Sequence, residues 1–125
     1  MPKNILLVDD QDLMLLVIQA TLRGIGADIH TAKSGPDAIR YVREVATPAA
    51  IIMDFSMPQQ NGLETLRQIR ALPNGASIPV IMLTARDQTQ IRQDADCLQV
   101  YAFMTKPFSP NALLQMVQKL LEPPP

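Results

Sequence analysis

Short uninterrupted apolar runs alternate along this chain with longer stretches whose apolar residues recur every three or four positions. The runs are Ile5 to Val8, Ala49 to Met53 and Val80 to Leu83, and each ends in a polar residue: Asp9, Asp54 and Thr84. Runs this short, continuous rather than alternating, read as strands buried on both faces. Pro48 and Pro58 bound the middle one. Lys3–Val8, 49–54 and Val80–Thr84 are therefore expected strands, with a weaker one over 28–32 and a fifth over 101–105. A carboxylate cannot stay unpaired inside such a sheet, so Asp54 belongs at the C-terminal end of its strand, where the chain leaves the core.

The periodic stretches predict helices. Over residues 12–25, Met14, Val17, Ile18, Thr21, Leu22 and Ile25 form the expected buried stripe, and Gly24 and Gly26 end the helix. Leu16 then points away from the core, with Leu13 and Ala20 beside it. Ser34 caps the next helix, with Pro36 in its first turn and Asp37 three residues after the cap; it runs to about residue 45. Asn61-Gly62 reads as a turn, after which Leu63, Leu66, Ile69 and Arg70 carry a third helix to residue 72, broken by Pro73-Asn74-Gly75. A fourth, less amphipathic helix is expected over 87–98. The last, Pro110–Leu121, buries Leu113, Leu114, Val117, Leu120 and Leu121. The three prolines at 123–125 stop it and suit the start of a linker.

Five strand–helix units with strands this apolar imply an α/β domain over residues 1–122, a parallel sheet covered by helices on both faces. Right-handed crossovers leave few arrangements, of which the doubly wound, flavodoxin-like order 2-1-3-4-5 suits five strands. The 125 residues, 47% hydrophobic and 18% charged, suit one globular domain. A net charge of -1 gives no electrostatic case for binding nucleic acid or an anionic membrane. The single cysteine, Cys97, precludes an internal disulfide and fits a reducing compartment. No apolar run approaches a membrane span and no signal-peptide pattern opens the chain, so a cytoplasmic protein is expected.

In a sheet of this type ligands bind at the carboxyl ends of the strands. Asp9, Asp10, Asp54, Thr84 and Lys106 all follow strands, so three acids, a hydroxyl and an amine converge on one rim. Crowded carboxylates invite a hard divalent cation, and Mg²⁺ (or Mn²⁺) fits, because it takes one or two carboxylates and shares phosphate oxygens. The lysine and the threonine hydroxyl add a positive charge and a neutral donor, which together make a clamp for phosphoryl transfer. With no Ser, Cys or His placed nearby, the nucleophile is a carboxylate and the product an aspartyl phosphate. Two simpler roles stay open at this point: Asp9 as helix N-cap, and Thr84 as a hydroxyl bonded to backbone. His30 has no second ligand near it in sequence, and the seven methionines are scattered as core filling.

These residues resemble the receiver domain of two-component response regulators, of the chemotaxis-regulator-like superfamily. The resemblance is carried by Asp9-Asp10, the segment from Asp54-Phe55-Ser56-Met57-Pro58 to Gly62, Thr84-Ala85 and Lys106-Pro107-Phe108. Thr84 follows Asp54 by thirty residues and Lys106 follows Thr84 by twenty-two, as in that family. It implies that Asp54 is the phosphoacceptor, that Asp10 ligates Mg²⁺ directly and Asp9 mainly through water, and that the Ser56 backbone carbonyl completes the protein ligands. Lys106 would contact the phosphoryl group, with a cis Lys106–Pro107 peptide. Thr84 and Phe103 would be the switch pair, and Ser56 and Arg86 would flank the water that removes the phosphoryl group. The implied donor is a sensor histidine kinase or histidine phosphotransferase; the outward Leu13, Leu16 and Ala20 read either as its docking patch or as a scatter of exposed apolar residues. The output is an effector protein or domain reading the helix over 87–98, the last strand and the last helix. Such a domain is no enzyme beyond its own phosphorylation and dephosphorylation.

The departures narrow this picture. Where many members carry glycine seven residues before the lysine, this chain has Gln99, so the helix before it is expected to lack its left-handed cap. Gln99-Val100-Tyr101 and Leu113-Leu114-Gln115-Met116 replace the acids and arginines that zip the dimer of winged-helix regulators, which leaves a monomer or a weak phosphorylation-dependent dimer. A receiver cut from a longer regulator and a pseudo-receiver used only for binding are the alternatives; the intact five-residue set argues against the second. A flavin protein would need a Gly- or Ser/Thr-rich loop where Asp9-Asp10-Gln11-Asp12 stands. A haloacid-dehalogenase-type phosphatase would need an acid at Ser56.

Overall fold

The computed structural model describes residues 3–57, 61–84 and 99–122. Five strands, β1 (Lys3–Val8), β2 (Ala27–Ala32), β3 (Ala50–Asp54), β4 (Val80–Thr84) and β5 (Ala102–Thr105), form one parallel sheet in the order β2-β1-β3-β4-β5. The helices are α1 (Asp12–Thr21), α2 (Gly35–Arg40), α3 (Gly62–Arg70) and α4 (Pro110–Leu121), and a π-helical turn, Tyr41–Val45, continues α2. This is the expected fold and order. The helix expected over 87–98, together with Arg86 and Cys97, lies outside the described residues, as do the prolines at 123–125. No helix among the described residues is long and apolar enough to cross a membrane.

Strand pleating divides the core in two. Leu6, Val8, Ile51, Met53, Val80 and Met82 meet Ala38, Val42, Leu66 and Ile69 of α2, the π turn and α3. On the other face Ile5, Leu7, Ile52, Ile81 and Leu83 meet Leu15, Ile18 and Leu22 of the α1 region and Leu113 and Val117 of α4. Burial on both faces is why the three central strands carry no alternation of polar residues.

The α1 stripe differs from its expectation. Leu15, not Val17, joins Ile18 and Leu22 in the core; Leu15 is 5% exposed and Val17 41%. Residues 13–18 are apolar all round, so periodicity alone selects no face, and contact with the sheet and α4 does. Leu13 and Leu16 do point away from the core, at 74% and 62% exposure. The helix stops at Thr21, short of the expected residue 25, and Gly24 and Gly26 turn the chain with φ of 86° and 84°.

Caps place the other helices. Ser34 accepts from the Asp37 amide at 3.1 Å, and Ser109 from that of Ala112 at 3.2 Å. Asn61-Gly62 is a helix start rather than a turn: the Asn61 side chain accepts from the Glu64 amide at 2.8 Å and Gly62 is the first helical residue. Gln99 adopts φ of 59°, so the left-handed conformation is kept without the glycine.

Candidate functional site at the carboxyl rim

Strand register brings the polar residues together. Val8 pairs with Met53, so Asp9 and Asp54, one step further on, end side by side. Asp54 pairs with Leu83 and Thr84 with Thr105, which puts Thr84 beside Asp54 and Lys106 just past the end of β5. Backbone bonds fix these exits: Phe55 N–H donates to the Leu83 carbonyl at 2.8 Å, Lys106 N–H to that of Thr84 at 2.6 Å and Asp9 N–H to that of Ala32 at 3.1 Å. The Lys106–Pro107 peptide is cis.

The lysine ammonium lies 2.9 Å from Asp54 Oδ1 and 3.7 Å from Asp9 Oδ2. Asp54 Oδ1 also accepts from the Ser56 amide at 3.3 Å. Carboxylate oxygens of Asp9, Asp10 and Asp54 lie within 4.8 Å of one another. Asp9, Asp54 and Thr84 are 1%, 5% and 3% exposed, so this rim is deeper than a strand end open to solvent.

Asp9 is the informative member. Its Oδ1 accepts from the Gln11 amide at 2.9 Å, so it supports the start of α1 from two residues before Gln11, which occupies the cap position. Its Oδ2 is buried without a hydrogen-bond partner. Burial pushes this carboxyl above its ordinary value, and the charges of Asp54 and Asp10 push the same way; the Gln11 amide and Lys106 pull it down only in part. A buried carboxylate oxygen lacking a donor, facing two further carboxylates, is the donor set a hard divalent cation takes.

Gly62 sets the floor of the site. Its N–H donates to the Phe55 carbonyl at 2.7 Å. A Cβ there would lie 2.8 Å from the Asp54 carbonyl oxygen and 3.0 Å from Phe55 Cα. The Asn-Gly pair signalled a chain reversal, but the requirement for glycine comes from this contact across the fold. Phe103 stands on the same sheet face as Thr84, opposite Met82 in register, and packs partly buried against the first core cluster.

The family model of the response regulator receiver domain matches residues 5–118. This chain belongs to that family. Its fold superposes on the chemotaxis protein CheY4 of Vibrio cholerae with a TM-score of 0.89, at 27% identity, covering 97% of this chain and all of that one. The receiver domain of the sensor histidine kinase PA1611 of Pseudomonas aeruginosa PAO1, solved with magnesium in its active-site cleft, gives 0.84 at 31% identity, covering 96% and 98%. The Bacillus subtilis alkaline phosphatase synthesis transcriptional regulatory protein PhoP is 33% identical over 97% of this chain and 49% of its own length. The receiver thus spans about half of that relative, and receivers like it occur in both transcriptional regulators and histidine kinases.

Proposed function

We propose that this receiver accepts a phosphoryl group on Asp54 in a His-Asp phosphorelay and switches a protein-binding surface in response. The observation that carries the reading is the Lys106 ammonium 2.9 Å from Asp54 Oδ1, with the carboxylates of Asp9 and Asp10 within reach of the same point. An Asp54 carboxylate oxygen attacks phosphorus, the P–N bond of a phosphohistidine breaks and the imidazole leaves; water later returns the group as phosphate. Lys106 offsets charge on a phosphoryl oxygen, and the Thr84 hydroxyl donates to another. Asp10 and Asp54, the Ser56 carbonyl, and Asp9 through water would hold Mg²⁺. Bound there, the cation neutralises charge on the carboxylates and the phosphoryl oxygens. Movement of Thr84 toward the phosphoryl group vacates space that Phe103, on the same face, turns inward to fill.

Among the described residues, three of the five large exposed hydrophobic ones, Leu13, Leu16 and Val17, lie on α1. With Ala20 they supply an apolar docking face beside the rim for a kinase or phosphotransferase helix. Incubation with acetyl phosphate and Mg²⁺, followed by intact mass, should add one phosphoryl group to the wild type and none to Asp54→Asn. An equal gain in both would move the acceptor elsewhere.

A further inference from the structure

β2 ends the sheet, and among the described residues it is paired to β1 alone. One bond fixes which way its backbone groups point: Asp9 N–H donates to the Ala32 carbonyl. Backbone groups alternate sides along a strand, so Asp28, His30 and Ala32 face β1. Ala27, Ile29 and Thr31 then turn both N–H and C=O outward.

Natural sheet edges are blunted by short length, proline, lysine or a bulge. β5, at the opposite edge, has four residues and runs straight into Lys106-Pro107. β2 has six residues, contains neither proline nor lysine, and matches β1 one to one without a bulge. On the α2 side the strand borders a groove of about 360 Å³, lined in part by Thr31, Lys33, Tyr41 and Val45, so the π turn leaves the edge uncovered.

The sequence of this edge is complementary to itself. Antiparallel pairing of two identical strands has a two-fold axis that falls between the two copies of one residue. With the axis at Ile29, Ile29 meets Ile29, and Ala27 meets Thr31 of the second copy, so every outward N–H and C=O finds a partner. Asp28 then lies opposite His30 of the second copy, once on each side of the axis; both are exposed and free to meet there. An axis at Asp28 would oppose the two carboxylates and one at His30 the two imidazoles, and either leaves outward groups unpaired. The His30 ring rests against Tyr41, with centroids 5.3 Å apart, which restrains it beside the edge.

We propose that a second copy of this chain takes this edge, joining the two sheets through antiparallel β2 strands centred on Ile29. The carboxyl rims then lie at opposite ends of the joined sheet, and each Asp54 stays open to its donor. The pairing needs no phosphoryl group. One strand and its flanks make a small interface, so the expected dissociation constant is about 100 µM.

Sedimentation velocity of the full chain over about 10–500 µM should show this monomer–dimer equilibrium. Thr31→Pro removes an outward N–H without touching the ladder to β1 and should leave a monomer. His30→Asp opposes carboxylates in its own dimer, and Asp28→Lys with His30→Lys opposes ammonium groups; each alone should associate at least about tenfold more weakly than wild type. Mixed, these two variants place acids opposite lysines and should associate at least as tightly as wild type. That rescue reads the register directly, and it stands as the test if Thr31→Pro does not fold. A wild type that stays monomeric to about 500 µM overturns the second copy as occupant, whether or not a strand of another protein takes the edge. Wild-type association by folded Thr31→Pro, or a mixture that associates no better than its components, overturns the β2 pairing.

Discussion

Replacing Asp9 by Asn should stabilise the metal-free protein at neutral pH. The substitution keeps an oxygen to accept from the Gln11 amide, the bond now 2.9 Å long. It puts an NH₂ group, a donor toward the neighbouring carboxylates, where Oδ2 is buried without a partner. Removing an unsatisfied buried acceptor is worth about 1–3 kcal/mol. The loss is the 3.7 Å pairing with Lys106, a long contact of a one-fifth exposed lysine, worth about 0–1 kcal/mol. The net gain is about 1–2 kcal/mol, or about 3–8 °C in Tm for a domain of this size. Its pH dependence follows from the raised pKa of Asp9. Below the ordinary carboxyl value of 3.8 the group is protonated in both folded and unfolded chains, and wild type and variant should differ least. As pH rises through the higher folded-state value, the native protein must release a proton it holds more tightly than the unfolded chain does, so wild-type stability falls and the gap opens. Urea unfolding in EDTA from pH 4 to 8 measures this, and excess Mg²⁺ should narrow the gap by stabilising the wild type more. A variant less stable than wild type at pH 7 in EDTA, or a gap that does not shrink toward pH 4, would refute the reasoning.

Three further outcomes are expected. Gly62→Ala must move the start of α3 off the Asp54 carbonyl, at a cost of about 1–3 kcal/mol, and should slow acetyl-phosphate labelling under conditions where the variant remains folded; wild-type stability and labelling would show that the contact is relieved cheaply. Leu15→Ala should cost about 2–4 kcal/mol and Leu16→Ala less than about 0.5 kcal/mol in urea unfolding, and the reverse order would put the wrong face of α1 in the core. Leu13→Ser with Leu16→Ser should slow transfer from the cognate phosphohistidine donor about tenfold or more and leave acetyl-phosphate labelling unchanged; equal loss with both donors would make these leucines part of the fold.

Much of this molecule is legible in its sequence because the signals are local. An apolar run ending in a polar residue announces a buried strand and a functional rim, and four such endings at family spacing identify the receiver. Ser34 as a cap and Asp54 at a strand end also follow from their neighbours in the chain. The face of α1 that enters the core does not, because six consecutive apolar residues satisfy every helical phase until the sheet and α4 choose Leu15. The depth of Asp9, the need for glycine at 62 and the grip of Arg70 on Gln99 are likewise products of tertiary contact. Each depends on a backbone atom supplied by a distant segment: the Asp54 carbonyl for Gly62, the Gln99 carbonyl for Arg70. Main-chain groups are the same at every position, so no residue pattern marks where they will meet; only the packed sheet and helices decide that.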